Sequence, residues 1–282
     1  MAHDDIQHAA TVDGFGREWT AFDQSGLADH DLRPIFNTYF RVFPWTSLPA
    51  RAAGVDIGCG SGRWATFVAP RVDRLTCVDA SEDALTVARR TLSGHANVDV
   101  RLGVAGALPF ADHTFDFGYA LGVLHHTPDP EATLRDCVRI LKPGAPLLVY
   151  LYYALDNRPA WYRLVWRVSD RARRVISGLP FRLRFWVSQV FAALFYWPLA
   201  RTARFVGRIA PARAEQIPLG FYGDKPFYVM RNDALDRFGT RLEHRFSRTE
   251  IAAMLGRAGV RDIEFSDRPP YWVAVGRTEF AA

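Results

Sequence analysis

Residues 55–63 read VDIGCGSGR, a short apolar run that turns into three glycines spaced two residues apart. Glycine tolerates positive φ and lets another group come close to the backbone. A dinucleotide-binding loop would carry the pattern G-x-G-x-x-G, with a third glycine at the start of the following helix. Here Arg63 stands at that position. The spacing therefore predicts a ligand loop between a strand and a helix that is not built for a dinucleotide.

Short apolar segments alternate with amphipathic helical segments from residue 53 onward. Helices are predicted at Gly62–Val72, after the N-cap residue Ser81, and at Pro130–Leu141. Strands joined by helices in this way imply right-handed crossovers and a mostly parallel sheet with helices on both faces. The predicted strands are AGVDIG (53–58), LTCVDA (75–80), VDVRLG (98–103), FDFGYAL (115–121) and PLLVYLYY (146–153).

The end of the chain carries a different pattern. Ser247 and Glu250 form a capping box before the helical segment IAAMLGRAG, which Gly259 is expected to end. Two further strands, VRDIEFS (260–266) and PYWVAVGR (270–277), are predicted to pair antiparallel, because a parallel pair would need a long crossover. The sequence thus predicts an α/β fold with a Rossmann-like, mostly parallel sheet that ends in an antiparallel hairpin.

The composition is that of a globular protein with a sizeable core. The chain has 282 residues, of which 49% are hydrophobic and 23% are charged. Cys59, Cys77 and Cys137 have no metal-ligand spacing and are odd in number, so we expect reduced thiols and no metal site. The first ten residues lack the basic and apolar regions of a signal peptide, which favours a cytoplasmic location.

Positive charge is concentrated in one part of the chain. Residues 156–213 hold twelve arginines and two acids, a local charge of +10, so the remainder carries −5 within the total of +5. This distribution predicts a nearly neutral or acidic body with a basic insert. We therefore expect an N-terminal helical cap segment (1–50), a ligand-binding domain (51–154 and 231–282) and a helical, aromatic insert (155–230).

Five short motifs stand in order along the predicted sheet: VDIGCGSGR (55–63), VDAS (78–81), LPFADHTFD (108–116), VLHHTPDP (123–130) and ILKPG (140–144). Each motif alone is weak, whereas five in order with this spacing are specific. Over about residues 50–154 and 240–278, the chain resembles the class I S-adenosylmethionine-dependent methyltransferases. The resemblance implies S-adenosyl-L-methionine as the cofactor and S-adenosyl-L-homocysteine as the product.

The resemblance also assigns roles in cofactor binding. Residues 58–62 would allow close approach of the methionine part, and Asp79 would accept hydrogen bonds from both ribose hydroxyls. Asp56 would orient the loop or contact the ammonium group. A sulfonium cofactor carries no pyrophosphate, which agrees with the missing third dinucleotide glycine. The cofactor-binding residues implied in this way are Asp56, Gly58, Cys59, Gly60, Gly62, Asp79, Ala80, Ala105 and Leu121.

The adenine end departs from the family's pattern. Relatives often have an acid just after the third strand to receive the adenine amino group, whereas this chain has Val104. We therefore expect adenine to be recognised through the backbone near Ala105 and apolar contact from Ala80 and Leu108. A compensating acid further along the same segment is the alternative, either Asp112 or Asp116, of which Asp116 is expected to cap the turn into the fourth strand.

His125 and His126 are the candidate catalytic residues, because they follow the fourth predicted strand and histidine titrates near neutrality. In similar natural-product methyltransferases the first histidine of such a pair can be the general base, supported by an acid just past the fifth strand. That position is Leu151 here. The hypothesis is thus a base at His125 with an incomplete dyad, and the alternative is a histidine that only orders the loop.

The segment FGREWTAF (15–22) is a second concentrated signal. Its resemblance to a helix that closes over the cofactor and acceptor makes Trp19 a candidate for substrate binding and Arg17 a candidate partner of the methionine carboxylate. Alternatively, Phe15, Trp19 and Phe22 form the core face of one helix. The predicted substrate-binding residues are Trp19, Tyr153 and Tyr222.

The basic insert contains sixteen uncharged residues, 185–200, flanked by arginines. This segment is shorter than the roughly twenty residues that span a bilayer, and Pro198 interrupts it, so no membrane span is predicted. A helical lid over an acceptor pocket is favoured. An interfacial surface over residues 155–213 that touches a membrane is the alternative, and nucleic acid is not an expected partner because no recognition module is present.

These observations favour methylation of an oxygen atom on a small or medium-sized natural-product, glycan or lipid-linked acceptor. The alternatives are carbon or nitrogen methylation, chemistry in which the sulfonium charge acts without methyl transfer, and a non-catalytic member. The expected assembly is a monomer or a homodimer that binds a small-molecule acceptor.

Overall fold

The computed structural model describes residues 2–24, 26–210, 214 and 216–280. The chain divides into two compact units. The sheet unit comprises Met1–Gln24, Leu32–Ala154 and Leu242–Ala282, and the helical unit comprises Ser25–Asp31 and Leu155–Arg241. Most of the helical unit is therefore one continuous insertion into the chain of the sheet unit.

The sheet unit is built on seven strands: β1 Ala53–Ile57, β2 Arg74–Asp79, β3 Val98–Leu102, β4 Phe117–Leu121, β5 Pro146–Tyr150, β6 Val260–Phe265 and β7 Val273–Thr278. Their order across the sheet is β3-β2-β1-β4-β5-β7-β6. The first five strands run parallel, and β7 pairs antiparallel with both β5 and β6. The predicted mostly parallel sheet with a terminal antiparallel hairpin is confirmed.

The described helices are α1 Ala2–Ala21, α2 Asp29–Tyr39, α3 Ala65–Val68, α4 Glu82–Thr91, α5 Pro130–Arg139, α6 Ala160–Ile176, α7 Phe181–Phe191, α8 Trp197–Ile209, α9 Phe227–Gly239 and α10 Arg248–Arg257. Two predicted caps are confirmed. The Ser81 hydroxyl accepts a hydrogen bond from the backbone N–H of Ala84 at the start of α4. Ser247 and Glu250 form the capping box of α10, and Gly259, with a φ of +84°, follows the end of that helix.

The helix after the glycine loop is shorter than the predicted span of Gly62–Val72. It consists of α3 and a 3₁₀ turn at Ala69–Arg71. Gly62 has a φ of +76°, which lies outside the right-handed helical region, so the helix begins only after the loop has ended. Pro70 in the 3₁₀ turn has no N–H to continue an α-helical ladder.

Apolar side chains cover both faces of the central strands. On one face Ile57 of β1 packs in a cluster with Leu134 of α5 and Leu255 of α10. On the other face Phe117 of β4 meets Phe43, with ring centroids 5.7 Å apart. Parallel strands buried on both faces are typical of this class of sheet, and they hold the strand ends that form the site described below.

The helical unit has its own apolar interior. Helices α7 and α8 are joined by one π-helical segment, Ala192–Tyr196, so that residues 181–209 form one continuous helical rod. The insert was predicted to end at residue 230, whereas the compact unit extends to Arg241, because α9 packs against the rod. The buried residues of this cluster are Ile176, Ala192, Tyr196, Ala200, Met230, Ala234 and Phe238.

Candidate active site

An open cleft lies in the sheet unit at the carboxyl ends of β1, β2 and β4. Open α/β sheets bind ligands at this edge, where the strands end and loops begin. The lining residues are Thr11, Val12, Phe15, Trp19, Ile57, Gly58, Val78, Asp79, Ala80, Gly103, Val104, Ala105, Leu121, Gly122, Val123, His126 and Thr127.

The three loop glycines are required by packing as well as by backbone conformation. Their φ values are +72° at Gly58, +54° at Gly60 and +76° at Gly62. A Cβ at Gly58 would stand 2.3 Å from Val123, and a Cβ at Gly60 would stand 2.7 Å from the ring of Trp19. Gly62 faces α4, away from the cleft. Of the three, only Gly58 lines the cleft.

Asp79 ends β2 and is the one carboxylate that lines the cleft among the described residues. Its oxygens accept hydrogen bonds from the backbone N–H groups of Gly60 and Ser81, each at 2.9 Å. Burial raises the pKa of this carboxyl, and the backbone donors lower it in part. The backbone N–H of Ala80 is a third donor to this carboxyl. A carboxylate has about four acceptor positions, so about one remains for a donor in the cleft.

Asp56 and Cys59 lie behind the cleft rather than on its wall. Asp56 is buried and accepts a hydrogen bond from the hydroxyl of Tyr119 at 2.9 Å. Burial raises the pKa of Asp56 to about 8, and the charge of Asp79 adds to that rise. The Cys59 thiol is buried next to Cys77, and the pKa of Cys59 lies well above its usual value because of that neighbour and of burial.

The wall opposite the loop is apolar. Ala80, Ala105 and Leu121 line the cleft as the resemblance implied, together with Val104. Neither of the two candidate acids for the adenine end is on this wall. Asp112 pairs with Arg139 at 2.8 Å, and Asp116 accepts hydrogen bonds from Ala53 and Lys142. Leu108 is buried beneath the wall.

Both histidines are buried, but only His126 lines the cleft. They stand in a 3₁₀ turn at Leu124–His126 that follows β4. His126 lines the cleft, and its Nδ1 lies 2.7 Å from the carbonyl oxygen of Leu242. Because a carbonyl can only accept, Nδ1 must carry the proton, and in the neutral ring Nε2 is then the accepting nitrogen.

His125 is completely buried and does not belong to the cleft lining. Its ring stacks on that of Tyr152 with centroids 3.9 Å apart, and its Nδ1 accepts from the Tyr152 N–H at 3.4 Å. Burial, followed by the charges of His126 and Arg245, holds the pKa of His125 well below its usual value. The structure therefore brings His126, and not the predicted base His125, to the cleft.

Helix α1 forms one side of the cleft through residues spaced four apart. Phe15 and Trp19 were noted in the sequence, but Thr11 was missed, although it continues the same spacing. Arg63 stacks on Trp19 with its guanidinium 5.0 Å from the ring centroid, so the residue that replaces the dinucleotide glycine packs against this helix. Arg17 pairs with Asp13 on the exposed side of the helix.

The other predicted acceptor residues do not line the cleft. Tyr153 packs against Tyr271 and Trp272, with ring centroids 5.7 Å and 6.5 Å away. Tyr222 belongs to the helical unit, in a 3₁₀ turn at Gly220–Tyr222. Their roles in acceptor binding stay predictions.

The groups that line the cleft suit a sulfonium nucleoside. Asp79 offers an acceptor position to a ribose hydroxyl, the wall at Ala80, Val104 and Ala105 suits an adenine ring, and the backbone at Gly58 leaves room for the methionine part.

Comparison with known proteins agrees with this chemistry. The family model described as "Methyltransferase domain" matches residues 55–149. The ubiquinone biosynthesis O-methyltransferase of Pseudomonas fluorescens (strain Pf0-1) is 31% identical over 167 residues, which cover 57% of this chain and 68% of that protein. The protein of the same name from Xanthomonas axonopodis pv. citri is 29% identical over 162 residues, which cover 56% of this chain and 65% of that protein.

Among solved structures, a SAM-dependent methyltransferase from Thermotoga maritima has a TM-score of 0.51 and 18% identity, and the match covers 95% of this chain and 99% of that one. A likeness at this identity shows a shared fold. The match to the Pseudomonas protein shows the family as well as the fold, since it extends over two thirds of that relative. The chain therefore belongs to the class I S-adenosylmethionine-dependent methyltransferase family, whose cofactor it shares.

Proposed function

We propose that this methyltransferase transfers the methyl group to a hydroxyl oxygen of a small or medium-sized acceptor and that His126 is the general base. The observation that carries the proposal is the orientation of His126. Its Nδ1 is held by the Leu242 carbonyl, which leaves Nε2 as the accepting nitrogen of a ring that lines the cleft. A hydroxyl is a poor nucleophile until its proton is removed, so oxygen methylation is the reaction that needs such a group.

When bound, S-adenosylmethionine supplies a methyl group on a cationic sulfur for in-line displacement. Asp79 would hold the ribose through its remaining acceptor position, and Ala80 and Val104 would pack against adenine. Phe15 and Trp19 of α1 would exclude water from the acceptor and hold it in line. Positioning and desolvation of this kind provide a large part of the rate in displacement reactions.

His125 acts in this proposal as a positioning residue. It is buried with a strongly lowered pKa, so it stays neutral at physiological pH. Its ring centroid is 4.1 Å from that of His126 and 3.9 Å from that of Tyr152. Its backbone carbonyl accepts a hydrogen bond from the N–H of His244, which ties the 3₁₀ turn to the segment that carries Leu242.

Two further observations support an oxygen acceptor with an apolar body. The relatives at about 30% identity bear the name O-methyltransferase. In addition, α1 presents Val12, Phe15 and Trp19 to the cleft, a surface that suits an aromatic or aliphatic acceptor better than a charged one.

The test is a methyl-transfer assay with phenolic, catecholic and aliphatic hydroxy acceptors, read by mass spectrometry and by the NMR shift of the new methyl carbon. His126→Ala should lower kcat by about 10²–10⁴-fold and leave the Kd for the cofactor within about twofold. His95→Ala, in the same unit but away from the cleft, is the matched control. His126→Ala with unchanged turnover would contradict the base, and a methyl carbon bonded to carbon or nitrogen would contradict oxygen methylation.

A further inference from the structure

The helical unit exposes an unusual amount of apolar surface. Along the rod formed by α7, the π-helical segment and α8, exposed apolar residues recur at spacings of three and four, with one longer step of eight between Trp197 and Phe205. The opposite side of the same rod is buried, through residues such as Ser188, Ala192 and Tyr196. The exposed stripe consists of Leu183, Trp186, Val190, Leu194, Trp197, Phe205 and Ile209.

The exposed apolar stripe is both long and strongly exposed. Trp186 retains 66% of its accessible surface and Ile209 retains 73%. Residues 183–209 of a helix extend over about 40 Å at 1.5 Å per residue. Apolar patches of this extent on a protein surface mark contacts with another protein or with a membrane.

Helix α6 repeats the arrangement. Its apolar stripe is exposed at Trp161, Leu164, Val165, Val168 and Val175, while its polar residues Asp170 and Arg173 are buried. An amphipathic helix that packs on the core of its unit buries its apolar side, here the side with Trp, Leu and Val, and exposes its arginines. Here that side faces outward, so the stripe is not used in folding the helical unit.

The surface charge around both stripes is mostly positive, although the exposed Asp224 lies 3.1 Å from Arg204 of α8. Residues 157–209 contain one acid, Asp170, whose carboxylate lies 2.7 Å from Arg173 and 3.0 Å from Arg174 and is itself buried. The exposed arginines beside the stripes are Arg163, Arg167, Arg171, Arg174, Arg182, Arg204 and Arg208. A second copy of this chain would bring arginines against arginines, whereas an anionic surface would neutralise them.

We propose that the exposed stripes of α6 and of the α7–α8 rod form a contact surface for an anionic lipid bilayer. The Trp, Phe and Leu side chains enter the boundary between headgroups and acyl chains, and the arginines extend to the lipid phosphates. The contact is peripheral, since no helix within the described ranges is long and apolar enough to cross a membrane. Each arginine near an anionic surface adds to the attraction, so the binding weakens as salt rises.

Co-sedimentation of the full-length protein with vesicles tests the proposal. One set of vesicles is phosphatidylcholine, and the other contains about 30% phosphatidylglycerol, an anionic fraction that attracts basic segments. We expect binding to the anionic vesicles that falls at least about tenfold between low and high salt, and little binding to the neutral ones. Equal binding to both kinds of vesicle, or to neither, would overturn the proposal.

Two paired variants separate the apolar and charged contributions. Trp186→Ser with Leu194→Ser removes apolar side chains, and Arg163→Glu with Arg167→Glu reverses charge; each pair should reduce binding to anionic vesicles by at least about tenfold. Arg51→Glu with Arg74→Glu in the sheet unit changes the net charge equally and should bind as the wild type does. Loss of binding in that control would attribute the effect to net charge alone and overturn the assigned surface.

The alternative partner for this surface is a second copy of this chain. Sedimentation velocity without vesicles distinguishes it, because Trp186→Ser with Leu194→Ser would then convert a dimer into a monomer. A dimer that dissociates in this variant, without vesicle binding by the wild type, would also overturn the proposal. The assay does not depend on methyl transfer, so its outcome is independent of the acceptor and of the role of His126.

Discussion

The two units of the molecule use amphipathic segments in opposite ways. In the sheet unit the apolar sides of strands and helices turn inward, as at Ile57, Leu147 and Leu255, although Asp56 and Glu243 are buried as well. In the helical unit charged and polar side chains, among them Asp170 and Arg173, are buried, while Trp and Leu side chains are exposed. An apolar stripe on a helix therefore does not by itself show that this side of the helix faces the core.

Two buried carboxyl groups illustrate the same difference. Asp56 of the sheet unit is bonded to a neutral hydroxyl, and burial raises its pKa to about 8. Burial works in the same direction on Asp170 of the helical unit, but Arg173 and Arg174 outweigh it and hold the pKa below its usual value. The first carboxyl is largely protonated at neutral pH, whereas the second is one half of a buried ion pair.

The largest expected effect comes from breaking that ion pair. Asp170→Ala leaves the buried Arg173 without its carboxylate, although its bonds to the carbonyls of Thr240 and Arg241 remain. Removing one partner of a buried pair costs about 3–5 kcal/mol. We expect faster amide hydrogen exchange in α6 and α9, measured by mass spectrometry.

The matched control for that variant is Asp99→Ala in the sheet unit. Asp99 pairs with Arg101 at the surface, where both side chains are about half exposed. Such pairs contribute about 0–1 kcal/mol, so exchange in the sheet should change little. A comparable increase in amide hydrogen exchange in the two variants would mean that the buried pair contributes no more to stability than an exposed one. The pair would then not distinguish the two units.

A smaller effect is expected at the polar edge of the sheet unit. Asp79→Ala removes the carboxylate proposed to hold the ribose and should weaken cofactor binding by about ten- to hundredfold, which is about 1.4–2.7 kcal/mol. Calorimetry with S-adenosylmethionine measures the change. Asp83→Ala, an exposed acid at the start of α4, is the control. Since Asp79 also accepts from backbone N–H groups, Asp79→Asn is the second variant, and unchanged affinity in both would refute the role.

The sheet and its ligand edge could be predicted from the sequence because their signals are local. The glycine spacing, the apolar strands and the caps at Ser81 and Ser247 each depend on residues a few positions apart. The same holds for part of the candidate site. Gly58, Asp79 and Leu121 follow directly from strand ends, and all three line the cleft.

The rest depended on contacts between distant parts of the chain. The sequence favoured His125 as the base and could not reveal the role of His126, because the carbonyl that orients His126 belongs to Leu242, far along the chain. Nor could it tell whether the stripe on α6 faces inward, since helical periodicity is the same for a core face and for a surface face. The arginine at residue 173 shows the point: its charge suggested exposure, yet it is buried against Asp170.

The buried carboxyl of the sheet unit predicts a pH dependence. The pKa of Asp56 is about 8 in the folded protein and 3.8 in the unfolded chain, so between these values the folded state binds more protons. Its contribution to stability is therefore complete below about pH 4 and is lost as the pH rises towards 8, by at most about 1.4 kcal/mol per pH unit. Urea unfolding of wild type and Asp56→Asn from pH 5 to 8 measures the difference.

Asp56→Asn keeps an oxygen that can accept from Tyr119, so the variant should fold. It should lose only the part of the pH dependence of the free energy of unfolding that Asp56 causes. Asp99→Asn, a surface carboxyl of the same unit, is expected to follow the wild type across the range. Parallel curves for wild type and Asp56→Asn would mean that Asp56 is ionised in the folded protein. The contrast with Asp170 would then disappear.

The smallest expected effect is at the outward stripe of the helical unit. Leu164 retains 61% of its accessible surface, so Leu164→Ala removes few contacts and should change the free energy of unfolding by less than about 0.5 kcal/mol. Leu148→Ala in β5, which is fully buried, removes the same atoms and should cost about 2–5 kcal/mol in the same urea titration. A loss above about 1 kcal/mol for Leu164→Ala would mean that the protein itself covers this stripe in solution, and the helical unit would then bury its apolar face as the sheet unit does.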